Sequence, residues 1–306
     1  MSKRANLPYT YQDLFPHVAA SPRDPRTPGS ISGASFAESR SLAFTPRSPD
    51  HKRSNWKTMF RRLFKPRTLD FETAIWEVFY LIINPRKMYR THYTYKHSNG
   101  KASLRRDDPS FLILVTCFLC ISAIAWGLTY LPHVWDIIKL VVNMVIFDFY
   151  VLGVCVATVS WAVTNALFNN QFSLLTAFSA SSRYAVNYIE WGFCFDIHCN
   201  SFLIIWAVLY LLQFFLLPLL TSKNFLLLLL GNTLYFGAVG QYFIITFYGF
   251  NSLPFVSSAS TRGSSPGKVF QMAILAGILP LLALGWFLCN VFRFNVAQVM
   301  VHNYFN

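Results

Sequence analysis

The densest run of chemically capable side chains is Glu190-Trp-Gly-Phe-Cys194-Phe-Asp196-Ile-His198-Cys199-Asn200. Cys194, Asp196, His198 and Cys199 are all metal-ligand types, and zinc takes such donors in four-coordinate sets. Structural zinc sites usually arrive as two separated ligand pairs, and the sequence offers no evident second pair. On a helix, Cys194 and His198 share one face, Asp196 and Asn200 share another, and Asp196 and His198 point apart. The plainer reading is a polar network at the entry to a membrane span. There a carboxylate would pair with a backbone donor or an arginine such as Arg105 or Arg106. Asp148 is the other candidate, an ionisable residue inside an apolar run with Asn143 five residues before it. Such a residue in lipid costs at least ~2.5 kcal/mol unless paired. It reads either as a proton or ion step or as an interhelical hydrogen bond. Cys117-x-x-Cys120 has redox spacing but sits in the apolar run FLILVTCFLCISAIAW, where two plain thiols are expected. P-loop, nucleophile-elbow and HExxH signatures are absent. No enzyme activity, metal or cofactor is therefore expected.

The elements that must hold these groups are long and apolar. Only six of the 26 Lys and Arg follow residue 109, namely Lys139, Arg183, Lys223, Arg262, Lys268 and Arg293. Only four acids follow it, Asp136, Asp148, Glu190 and Asp196. The chain is 13% charged, against about 25% for a soluble domain. So little charge suits a surface that faces lipid. Apolar runs predict spans near 110–131, 137–165, 199–220, 225–250 and 269–291, each reaching the ~20 residues a bilayer requires. Trp135, Trp161, Tyr130 and Tyr248 fall near span ends, where interfacial aromatics gather. Gly237 and Gly240, on the fourth span, lack GxxxG spacing but still permit close helix contact. The predicted fold is an all-α membrane protein, a bundle of about five transmembrane helices plus a cytosolic or interfacial N-terminal helix.

Four segments follow. Residues 1–55 are a basic tail rich in Ser and Pro, expected to be disordered, with no h-region of a signal peptide. Its Ser21, Thr27, Thr45 and Ser48 each precede a proline, as sites of proline-directed phosphorylation do. Residues 56–109 form a juxtamembrane segment, 110–292 the five-span domain, and 293–306 a short tail. Within the second, Lys57, Arg61, Arg62, Lys65 and Arg67 interleave with aromatics, which suits anionic lipid at about 1 kcal/mol per basic residue. Nucleic acid is the other partner such charge could attract. Asp70 then reads as an N-cap for a helix whose Phe71, Ile75, Val78, Phe79 and Ile82 recur at helical spacing. Asn84-Pro85 ends it. This helix is too short to span, so it lies in the interface or packs on the bundle, with a soluble packing helix as the alternative. Counting Lys and Arg in the loops places the N-terminus in the cytosol and the C-terminus in the lumen. The cytosolic side then holds Arg90, Lys96, Lys101, Arg105, Arg106, Arg183, Arg262 and Lys268, against Lys223 and Arg293 opposite.

Five stretches resemble the uncoordinated-fifty (Unc-fifty) family of Golgi and endoplasmic-reticulum membrane proteins. They are RRLFKPRTLDFETAIWEVFYLIINPRKMYR, RRDDPSFLIL, IEWGFCFDIHCNSF, GNTLYFGAVGQYFIITFYGFNSLPF and ALGW. The resemblance runs roughly from residue 56 to residue 292. It implies five spans, no known enzymatic activity and a role in vesicle-mediated protein transport. It further implies recruitment or support of Arf guanine-nucleotide exchange factors, help in delivering membrane cargo such as receptors, and an RNA-binding property. The pattern residues it marks here are Asp70, Trp76, Pro85, Tyr89, Arg90, Arg106, Asp107, Asp108, Pro109, Glu190, Trp191, Gly192, Asp196, His198, Asn200, Gly231, Asn232 and Pro254. This chain departs from the family in its long tail, in the loop FNNQFSLLTAFSASSRYAVNY and in the loop SSASTRGSSPGK. A transporter or channel using Asp148 and the Asp196/His198 cluster is the alternative function.

Overall fold

A span must satisfy its own backbone hydrogen bonds, which leaves helices or a closed barrel. The computed structural model takes the helical course and describes residues 69–98, 106, 108–168, 188–220, 224–253 and 271–305. The chain divides into two compact units, Met1–Pro49 and Asp50–Asn306, and every described residue lies in the second. The basic cluster Lys57, Arg61, Arg62, Lys65 and Arg67 lies outside the described residues, as do Asp107, Pro254 and both departing loops.

Two short helices, α1 (Phe71–Ile83) and α2 (Pro85–Ser98), precede the bundle. Five helices long and apolar enough to cross a membrane follow: α3 (Ser110–Tyr130), α4 (Val134–Leu167), α5 (Trp191–Leu220), α6 (Phe225–Asn251) and α7 (Ala273–Val291). The protein is an all-α membrane protein. A last helix, α8 (Val296–Phe305), occupies what the sequence suggested was only a tail. Its turn from α7 passes through Arg293 at φ 54°. Three spans contain π-helical stretches, at Asn143–Val151, Trp206–Leu212 and Ala273–Ile278.

α5 is the centre, packing most extensively on α4 and α6, while α7 lies against α6. It starts at Trp191, eight residues before the expected span. The Glu190–Asn200 run is thus the first turns of the membrane helix and not a loop leading to it. Its polar side chains can enter the bundle because each finds a partner there, as shown below. Trp161, expected at an interface, is buried among Ala157, Ile189, Phe193 and Phe250. Gly249, not Gly237, is the point of close approach on α6. A Cβ there would come within 2.9 Å of Ile197 and 3.2 Å of Tyr89.

α1 and α2 share one core with the bundle. Ala74, Leu81, Met88 and Tyr89 join Phe111, Val115, Leu119, Phe149, Leu203 and Ile245. The expected apolar repeat of α1 is not its inward face. Ala74 and Leu81, outside that repeat, are buried with Val78 packed beside them, whereas Ile75, Phe79 and Ile82 of the repeat, with Trp76 and Ile83, are exposed. α1 is about 20 Å long at 1.5 Å per residue, too short to cross a bilayer. Pro85 opens α2 where its missing N–H costs nothing, and Asn84 Oδ1 accepts from the Lys87 N–H at 3.1 Å.

Asp70 caps α1. Its Oδ1 accepts from the Thr73 N–H at 3.2 Å and its Oδ2 from the Thr73 hydroxyl at 2.7 Å. These bonds, the hydroxyl first, hold its carboxyl below the usual carboxylate range. A lowered value means the stabilisation is full above about pH 4 and is lost as pH falls through the folded-state value. Amide-exchange protection in the first turn of α1 should therefore hold from neutral pH to about pH 4 and decline below it. Asp70→Asn should keep the cap and abolish that decline, while Asp70→Ala should cost about 1 kcal/mol at all these pH values.

Candidate functional site

The site grows from Arg106, just ahead of α3. Its guanidinium sits 4.0 Å above the Phe111 ring, on the first turn of the helix it precedes. From there one nitrogen, Nη2, donates to Glu77 Oε2 at 3.0 Å and to Asn200 Oδ1 at 3.0 Å. Its backbone N–H donates to Asp196 Oδ2 at 2.7 Å. Arg106 thus joins α1, α3 and α5 through one residue. The Arg106 and Glu77 side chains are only 10% and 14% exposed, so this is a largely desolvated ion pair.

The network extends on both sides. Glu77 Oε1 lies 3.1 Å from His92 Nδ1 on α2. Asn200 Nδ2 donates to the Tyr89 hydroxyl, also on α2, at 3.1 Å. Burial pushes the Tyr89 phenol well above its ordinary pKa, so it stays protonated throughout the physiological range. Asp108 completes the junction by accepting from the Asp70 N–H at 3.1 Å. Pro109, buried, follows at the start of α3.

The structure brings together Asp70, Tyr89, Arg106, Asp108, Asp196 and Asn200 among the residues marked by the sequence. It leaves others elsewhere. Trp76 and Arg90 are on the exposed sides of α1 and α2. Glu190 precedes the first turn of α5, Gly192 lies within it, and the Trp191 indole donates to Thr158 Oγ1 at 3.1 Å. His198 does point away from Asp196, with Nδ1 2.8 Å from the Tyr242 hydroxyl. Gly153 makes room for it, since a Cβ there would stand 2.7 Å from the imidazole. Asp148 lies apart again, its Oδ2 accepting from the Tyr210 hydroxyl at 3.0 Å. That is an interhelical bond between α4 and α5. Among the described residues, no three His, Cys, Asp or Glu side chains gather as metal ligands.

Gly231 and Asn232 serve the other end of the bundle. Asn232 Nδ2 donates to Asn290 Oδ1 and to the Phe294 carbonyl, each at 3.0 Å, and its Oδ1 accepts from the Val296 N–H at 3.0 Å. Gly231 lets Ala297 pack close, at 3.3 Å from where a Cβ would be. Together they pin the turn from α7 into α8.

Sequence reading missed Glu77 and His92. Glu77 had a signal, because it falls three residues after Ala74 and four before Leu81 and so shares their inward face. A lone acid on a buried stripe implies a buried cation. His92, among the polar residues of α2, carried no comparable mark.

The sequence model of the UNC-50 family matches residues 59–305. Protein GMH1 of Saccharomyces cerevisiae is 42% identical over 212 residues, covering 65% of this chain and 73% of that protein. The protein unc-50 homolog of Homo sapiens is 33% identical over 243 residues, covering 77% and 86%. That of Dictyostelium discoideum is 34% identical over 221 residues, covering 72% and 81%. No solved structure matches.

Removing Arg106 would strand Glu77 and Asn200 in a dry junction. Arg106→Ala should destabilise the docked α1–α2 unit by about 2–4 kcal/mol. Limited proteolysis in detergent should then cut residues 69–98 while the five spans stay protected. In the double variant Glu77→Gln with Arg106→Ala, the loss should fall well short of the sum of the single losses.

Proposed function

The chain belongs to the UNC-50 family, and from that premise we propose that it is a non-enzymatic membrane protein of the Golgi and endoplasmic reticulum that serves vesicle-mediated protein transport. Its N-terminus faces the cytosol and its C-terminus the lumen. The cytosolic face comprises residues 56–109 and the segment leading into α5. It recruits or supports Arf guanine-nucleotide exchange machinery and helps membrane cargo such as receptors to travel.

The observation that supports this reading is the construction of α1 and α2. They are locked to the spans through Arg106, yet they expose Ile75, Trp76, Phe79, Ile82 and Ile83 on one helix and Arg86, Lys87 and Arg90 on the next. Residues 85–98 contain no acid. An apolar stripe beside a wholly basic helix suits the cytosolic leaflet, where anionic headgroups attract about 1 kcal/mol per basic residue near the surface. The same rigid platform offers soluble machinery a fixed docking height. RNA is a further partner that this basic surface would admit.

Purification of the tagged chain in mild detergent should enrich Arf exchange factors. The charge-reversed variant Arg86→Glu/Lys87→Glu should lose that enrichment and bind phosphatidylserine vesicles several-fold less. Absence of enrichment for the unaltered chain, together with normal cargo delivery in cells lacking it, would sink the proposal.

A further inference from the structure

α6 and α7 frame a shallow, open groove of about 360 Å3, lined by Gly237, Gly240, Gln241, Leu282 and Ala283 among others. One end is closed by Trp286, whose indole donates to Thr233 Oγ1 at 3.0 Å. Nothing among the described residues fills the space beside Gly237, where a Cβ would meet no atom within 4 Å. Gln241 is exposed in this groove, and its carboxamide has no hydrogen-bond partner among the described residues. It lies near the middle of the 27-residue α6, at the depth where water is scarcest. An unpartnered amide in hydrocarbon is costly.

The chemistry of that amide selects the occupant. An acyl chain would fill volume but offer no hydrogen bond. A carboxamide is both donor and acceptor, so two of them complement each other. A second copy related by a two-fold axis along the membrane normal carries its own glutamine at the same depth by symmetry. An unrelated span would have to match that depth by chance. Gly237 and Ala283, both exposed, supply the small surface that lets helices approach closely in lipid.

We propose that the α6–α7 groove is a homodimer interface in which Gln241 pairs with the partner's Gln241. The pairing needs neither the α1–α2 platform nor a trafficking role.

Donor- and acceptor-labelled full-length chains in phosphatidylcholine vesicles test it, with energy transfer followed as the protein is diluted into lipid. Transfer should persist on dilution, and Gln241→Leu should weaken association about tenfold. Gly237→Leu, which fills the groove, should weaken it at least as much, and Gln241→Asn should retain part of it. Both leucine variants change lipid-facing positions, so their unfolding temperatures should match that of the unaltered chain. Four results would overturn the proposal: a monomer at every dilution, association untouched by either leucine variant, a monomer carrying a lipid in the groove by native mass spectrometry, or a different membrane protein cross-linked to position 241.

Discussion

A guanidinium at the edge of a membrane bundle must choose between water and protein. Taking a charge out of water costs several kcal/mol, and only partners of good geometry offset that loss. Arg106 is held by Glu77, Asn200 and the Phe111 ring face, while its own backbone N–H holds Asp196. These partners come from three helices far apart in sequence. Apolar contact would pull the same helices together, but it is non-directional and tolerates sliding. The hydrogen bonds supply direction. Once Arg106 is seated on its oxygen, Asn200 is turned so that its amide nitrogen donates to the Tyr89 hydroxyl, and Glu77 is left with one oxygen for His92. The position of α2 follows from that of α1 and α5.

The opposite end of the bundle solves a similar problem with neutral groups. Asn232 presents two donors and an acceptor to the turn between α7 and α8, and the unusual backbone at Arg293 sits within that turn. Between the two ends, single bonds tie neighbouring spans. His198 meets Tyr242, Ser201 meets Thr246 and Tyr210 meets Asp148. Individually such bonds average about 0.6 kcal/mol in membrane proteins. Spread along α5, they fix its rotation against α4 and α6. Two of the π-helical stretches hold one such pair, and a wider turn shifts the face a span presents. Asp148 and Tyr210 lie in two different stretches, and the Tyr210 carbonyl also accepts from the Trp126 indole at 2.8 Å.

Much of this was legible in the sequence. The spans were, because twenty apolar residues without charge have few other uses. So was the end of α1, because proline after asparagine forbids its continuation. The separation of Asp196 from His198 followed from helical geometry alone, and Arg106 was one of two arginines named for the acid. The start of α5 was misplaced because hydropathy counts Asp196 and His198 as hydrophilic. It cannot know that Arg106 and Tyr242 wait inside. α8 was overlooked because ten residues with moderate polarity resemble a tail until Asn232 and Gly231 anchor them. The π stretches leave no mark in composition.

α1 shows why the platform and the bundle form one object. A helix apolar on two sides gains nothing from being released into water. Its inner side is fixed by Ala74, Leu81 and the Glu77–Arg106 pair, and its outer side keeps three isoleucines, a tryptophan and a phenylalanine exposed. A hinge there would need to break a nearly dry ion pair while stripping Ala74 and Leu81 from the shared core. The exposed stripe and the basic helix after it therefore keep a constant height and angle relative to the spans. Whatever meets that surface meets it at a position set by one arginine.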